Sequence, residues 1–302
     1  MGFGLRGSFK GVALEGPETY IYAAGATTQK VRKILKSTMA TVLDSALCDG
    51  WIYSLAEDTN HIFAGITTVF KVRKILKTDM TTVQDSASYG GTICALAADN
   101  THIYAAGGTT RKVRKILKTD MSNVLDSANY GGSIQALTQD EDYIYAAGLT
   151  TQKVRKILKA TMATVLDSAD YGGSIYALTQ DDLYVYAGGL TTKKVRKILK
   201  TDMTTVLDSA DCLTTITALT QDANFVYANC GVPNKIRKIL KSDMSTVLES
   251  AEFDWSTFAL AQDNTCIYAG GGPTNTVRKI LKSNMSIILE SANYGGSIYA
   301  LV

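Results

Sequence analysis

The chain has 302 residues, with 31 Lys and Arg against 28 Asp and Glu, a net charge of +3, five cysteines and two histidines. A balance this close to neutral argues against the surplus basic field of a nucleic-acid binder, and no segment approaches the ~18 consecutive apolar residues of a membrane span. Met1-Gly2-Phe3-Gly4-Leu5-Arg6 lacks the apolar run of a secretory leader, so the expected location is the cytoplasm or an assembled particle.

In chain order, residues 1-16 read as an N-terminal arm, with one degraded match to the later pattern at Gly11-Val12-Ala13-Leu14. From residue 17 onward the chain is periodic. Lys30-Val31-Arg32-Lys33-Ile34-Leu35-Lys36 returns as itself or a close variant from 71, 112, 153, 194, 235 and 276, always 41 residues later. A fixed period of this size means a repeat architecture. The cleanest copy holds four short segments: Gly173 to Leu178, Asp182 to Ala187, Lys194 to Lys200 and Thr204 to Ser209. Each is rich in Ile, Val, Tyr or Thr and bounded by turn residues, and none is long enough for a helix. Four strands in ~40-45 residues make one propeller blade. The prediction is an all-β, seven-bladed β-propeller over 17-302, with four antiparallel strands per blade.

Within a blade the strands are named A (Ser-Ile-Tyr-Ala-Leu), B (Tyr-Ile-Tyr-Ala), C (Val-Arg-Lys-Ile-Leu) and D (Val-Leu-Asp-Ser), from the axis outward. Strand A is apolar on both faces, as an inner strand between blades requires, and strand C carries the charge. Ser297-Ile298-Tyr299-Ala300-Leu301 is an eighth strand A beside seven B-C-D sets. An open ring would leave unpaired edges, so this last strand is expected to complete the first blade beside Tyr20-Ala23.

Of the 31 Lys and Arg, 27 lie in the strand C heptapeptides. Strand alternation sets Arg32 and its equivalents toward a packed surface, where the strand D acids Asp44, Asp85, Asp126, Asp167, Asp208, Glu249 and Glu290 are the expected partners. The basic motif contains no stacking aromatic, so nucleic acid is not expected as a ligand. Cys48, Cys94, Cys212, Cys230 and Cys266 stand at different places in different repeats, without metal-ligand spacing. Cys212 and Cys230 can approach each other on one face of blade six, but the odd count fits a reducing compartment better, so no disulfide is expected. His61 and His102 read as turn residues, and Asp140-Asp142 and Asp181-Asp182 as turn-forming acids rather than calcium ligands. No nucleophile with its base, no phosphate loop and no metal set is recognisable, so neither catalysis nor a cofactor is expected.

Scaffold positions should repeat and a singular site should not. The D-to-A turn is Tyr-Gly-Gly at Tyr89, Tyr130, Tyr171 and Tyr294, but Cys48-Asp49-Gly50-Trp51, Cys212-Leu213-Thr214 and Phe253-Asp254-Trp255 elsewhere. B-to-C turns depart at Val69-Phe70, Cys230 to Asn234 and Gly272 to Asn275. Both turn classes lie on one face of a propeller, and the departures fall in contiguous blades. Trp51, Trp255, Phe70, Phe253, Asp49 and Asp254 are therefore the expected docking residues for a protein partner. The alternative is a lectin-like propeller binding glycans at repeated inter-blade pockets lined by Tyr89, Tyr130, Tyr171 and Tyr294.

The pattern Tyr-Gly-Gly-Ser-Ile-Tyr-Ala-Leu, Asp-Asp-x-Tyr-Ile-Tyr-Ala-x-Gly, Thr-Thr-x-Lys-Val-Arg-Lys resembles tandem propeller repeats of bacteriophage structural proteins and prophage regions. It lacks the Trp-Asp dipeptide of the largest tandem-repeat propeller family and the double-Arg mark of kelch repeats. The resemblance implies a virion part, such as a tail or capsid-surface module bound to other virion proteins, and assigns no functional residue.

Overall fold

The computed structural model describes residues 19-230, 234-253 and 256-302. It contains seven four-stranded antiparallel sheets, each with its strands in the spatial order A-B-C-D. Blade 4 is representative: Ile134–Gln139, Tyr143–Gly148, Arg155–Leu158 and Thr164–Asp167. Blade 1 is completed by Ile298–Leu301, which pairs with Tyr20–Gly25 through Ala23↔Leu301 and Ala24↔Ala300, as the surplus strand A predicted. The expected arm at 1-16 lies outside the described residues.

Strand B supplies most of the core, with Ile144, Tyr145, Ala146 and Ala147 fully buried between neighbouring blades. Strand D is four residues long and lies at the rim, where Val165 and Leu166 remain exposed. A short outer edge limits pairing with other chains. The C-to-D turn places a Met in the left-handed region, Met162 at φ 56, and buries its side chain in the seam with the preceding blade. In the D-to-A turn Gly131 has φ 98, and a Cβ on Gly132 would stand 2.2 Å from the Leu149 carbonyl oxygen. Both positions of the Gly-Gly pair are thus fixed by the backbone.

The heptapeptide fastens blade to blade. Arg155 chelates Asp167 of its own blade, Nε at 2.8 Å and Nη2 at 3.0 Å, and its Nη1 donates to the Asn129 carbonyl in the turn leaving blade 3. The predicted Arg-acid pair therefore forms, and it also holds the preceding blade. The central lysine crosses in the other direction: Lys156 Nζ donates to the Lys200 carbonyl of blade 5 at 2.8 Å. Equivalent bonds of 2.7 to 2.9 Å join every blade to the next, and Lys279 to the Lys36 carbonyl closes the circle.

Candidate functional site

The burial of the turn tyrosines distinguishes between the two expected sites. Tyr89, Tyr130, Tyr171 and Tyr294 are each 2% exposed. The Tyr89 hydroxyl donates to the Lys112 carbonyl at 2.5 Å and accepts from the Gly107 amide at 3.1 Å, while the Arg114 guanidinium lies 5.3 Å from its ring centre. Tyr130 repeats this arrangement on Lys153 and Gly148. Burial pushes these phenols above their ordinary pKa. The rings fill the inter-blade spaces instead of lining them, which corrects the expectation of open glycan pockets there.

Tyr89, Tyr130 and Tyr171 each meet a glycine that follows by 18 residues, and Tyr294 meets the equivalent Gly25 across the ring closure; where the tyrosine is replaced the glycine usually changes too. In the seam between blades 1 and 2 the pair is Cys48 and Ile66, packed in one cluster. Leading into blade 6 it is Cys212 and Cys230, which are joined by a disulfide with Cα atoms 4.8 Å apart. That corrects the expectation of unpaired cysteines: the two substitutions fall at the sites where a hydroxyl otherwise meets a backbone amide, already within bonding reach. At the third departure Phe253 keeps a ring, 3% exposed under the Arg278 guanidinium, and Gly271 remains glycine. Large with glycine, or small with something larger, keeps the seam filled. Next to the disulfide, the Asn229 side chain accepts from the Thr217 and Ala218 amides at 2.9 and 2.8 Å and donates to the Thr257 carbonyl at 2.9 Å. It stands in for ladder bonds that strand A of blade 6, shortened to Leu219–Gln221, does not make.

Of the expected docking residues, Phe253 is therefore core. Asp254 and Trp255 lie outside the described residues. Phe70 is half-buried at φ 55 in its B-to-C turn. Asp49 is exposed, at φ 58, with its carboxylate 3.5 Å from Arg73. Trp51 is 46% exposed and faces Tyr53 edge-on, with ring centres 6.2 Å apart.

That contact leads to a set of residues that sequence reasoning took as scaffold. One position of the strand A repeat, at intervals of 41, holds Tyr53, Cys94, Gln135, Tyr176, Thr217, Phe258 and Tyr299, one per blade. Together they line a cavity of about 290 Å³ at the mouth of the central channel. Tyr53 lies 5.0 Å from Tyr299, and Tyr299 lies 5.3 Å from Phe258, so four rings run without a break from Trp51 across blades 2, 1 and 7. The available signal was variation: five residue types occupy this position, between an Ile and a small residue that barely change.

The opposite face carries two grooves of about 1100 and 950 Å³ lined by turn acids and by the last lysine of five heptapeptides, Lys118, Lys159, Lys200, Lys241 and Lys282. Their charges are paired across the seams. Lys159 lies 3.2 Å from Asp99 of blade 3, and Asp99 also accepts from the Tyr104 hydroxyl at 2.7 Å and the His102 amide at 2.8 Å. Burial alone would raise the Asp99 carboxyl, but these bonds and the nearby ammonium hold it well below the usual carboxylate range. Asp140 accepts from the Asp142 and Tyr143 amides, the turn role predicted for it. Among the described residues no group of three His, Cys, Asp or Glu could hold a metal ion, and no helix is long and apolar enough to cross a membrane.

The sequence matches no protein-family model and no curated protein. Its fold has many solved counterparts. The crystal structure of the computationally designed Ika8 protein superposes with a TM-score of 0.73 at 13% identity, covering 95% of this chain and 91% of that one. The WD40 β-propeller domain of Doa1 gives 0.73 at 12% identity, covering 92% and 89%. Likeness at these identities establishes the seven-bladed architecture and leaves the ligand to be argued from the site.

Proposed function

We propose that the chain is a non-enzymatic binding module that docks a protein partner on the face built from the D-to-A and B-to-C turns, around Trp51 and the channel mouth. The observation that carries this reading is the unbroken line of rings from Trp51 through Tyr53 and Tyr299 to Phe258. Its outer member is half in water, whereas most of the large side chains in neighbouring seams are buried. Binding residues concentrate on loops held by a rigid scaffold, and aromatic anchors supply most interface energy. A non-catalytic role is supported by the state of Cys94, the thiol nearest the mouth, whose pKa burial raises toward the unreactive protonated form. The inter-blade spaces are occupied by their own tyrosines, so a singular face is favoured over repeated glycan sites. A place in a phage particle, at the tail or capsid surface, is the most specific form of the proposal and rests on the repeat pattern alone.

Affinity capture from the source lysate or virus preparation, with wild type beside Trp51→Ala, tests the docking face. A partner retained by wild type and lost by the variant at unchanged Tm is expected. Equal recovery by both overturns the assignment of this face.

A further inference from the structure

The channel mouth has a composition that defines what it can hold, and this inference rests on the docking reading above. None of its seven lining residues is an acid or a base. Burial raises the Tyr53 phenol and the Cys94 thiol, so both are neutral at physiological pH. A charged group entering here would shed water without meeting a counter-charge, which disfavours ammonium, guanidinium and carboxylate ligands.

The polar groups of the mouth differ in what they have left to offer. Thr217 Oγ1 donates to the Thr257 carbonyl and accepts from Asn229, and the Gln135 amide donates to Ser133 Oγ. The hydroxyls of Tyr53, Tyr176 and Tyr299 have no hydrogen-bond partner among the described residues, and they stand on three different blades around the opening. Tyrosines of this kind give rigid contact area with an adaptable polar tip, at low cost in side-chain entropy. The cavity, about 290 Å³, sits at the lower limit of the ~300-1,000 Å³ of small-molecule sites, the size for one inserted group rather than a cofactor. Its wall on blades 7, 1 and 2 is the edge-to-face and tilted series Phe258, Tyr299, Tyr53, with ring centres 5.0 and 5.3 Å apart, and one more ring extends such a series favourably.

We propose that the channel mouth is a socket for one uncharged aromatic side chain at the tip of a partner-protein loop. The inserted ring packs against Tyr299 and Phe258, and the free tyrosine hydroxyls bond to the amides and carbonyls that accompany it.

The test uses the full chain labelled with ring-¹³C Phe and Tyr and titrated with N-acetyl-tyrosinamide, N-acetyl-lysinamide and methyl glucoside. Saturable shifts of the Phe258, Tyr299 and Tyr53 ring signals with the tyrosine amide alone, in the millimolar range, are expected. Phe258→Ala weakens this binding by about tenfold. Tyr299→Phe, which keeps the ring and the packing, weakens it less and guards against loss of fold. Saturation by the lysine amide or the glucoside instead, or by no probe, overturns the socket. In the capture experiment, partner loss in Trp51→Ala with full retention in Phe258→Ala overturns the socket and leaves the docking face standing, whereas retention in both variants overturns the two together.

Discussion

A lysine buried in a protein seam is tolerated when its ammonium finds partners, and Lys156, in the middle of its heptapeptide, meets that condition. Lys156 is 7% exposed, donates to the Lys200 carbonyl, and lies 4.0 Å from the centre of the Tyr143 ring. Burial lowers its pKa, with Asp140 opposing and Lys200 adding to the shift. Lys156→Met keeps the stem but leaves the carbonyl without a donor, which is expected to cost about 1-3 kcal/mol and to lower the urea midpoint. Removing the arginine of the same motif, as in Arg155→Met, is expected to cost about 1-2 kcal/mol, less than the ~3-5 of a fully buried pair because the Asp167 carboxylate is partly in water. An unchanged denaturation midpoint in either variant would show that the seams do not depend on these bonds. Only the second interaction was legible in the sequence. An Arg and an Asp that recur together announce a pair, whereas a main-chain acceptor has no residue type and leaves no such trace.

At the scale of single elements, the irregular turns are compensated packing before they are anything else. Cys212 and Cys230 occupy the positions of Tyr171 and Gly189, so Cys212→Tyr with Cys230→Gly restores the hydroxyl tether of the other seams. This double variant is expected to have the same Tm with and without a dithiol reductant, while wild type loses stability on reduction. Cys212→Tyr alone forces a ring against Cys230 and should cost about 1-3 kcal/mol by overpacking. Equal reductant sensitivity in wild type and double variant would refute the equivalence. In the sequence these departures resembled one functional patch, since turn residues 18 apart show no link until neighbouring blades are superposed. Phe253 was assigned to that patch on this basis and is core. Tyr299 and Phe258 were passed over for the opposite reason: their neighbours in strand A repeat so faithfully that the varying position was read as part of the scaffold.

For the whole molecule the ring architecture was legible from the period alone, because seven equal repeats and a surplus inner strand leave one closed arrangement. What the period does not reveal is how the charges link around it. Asp58, Asp99, Asp140, Asp181, Asp222 and Asp263 all have pKa values below the ordinary carboxylate range: burial opposes the shift, and it is outweighed by hydrogen bonds from their own turn amides, in five of them by a tyrosine hydroxyl as well, and by a hydrogen bond from, or the positive charge of, a lysine of the next blade. A depressed folded pKa gives stability that is complete above the unfolded value of about 3.9 and is lost as pH falls through the lower folded values. The ring is therefore expected to keep its Tm down to about pH 4 and to lose it steeply below that. The difference in Tm between wild type and Asp99→Asn should be largest near neutrality and narrow under acid. A constant difference across that range would show that Asp99 acts only through its shape.

The joint between the last strand and the first has a mechanical side. Tyr20–Gly25 and Ile298–Leu301 run antiparallel, and the Tyr22 amide bonds to the Val302 carbonyl, so the chain leaves both strands at the same end of their ladder. Tension applied at Tyr20 and Val302 loads this ladder one rung at a time, as a peel rather than a shear. A pull on these two ends is therefore expected to open the ring at blade 1 while the other six blades remain folded.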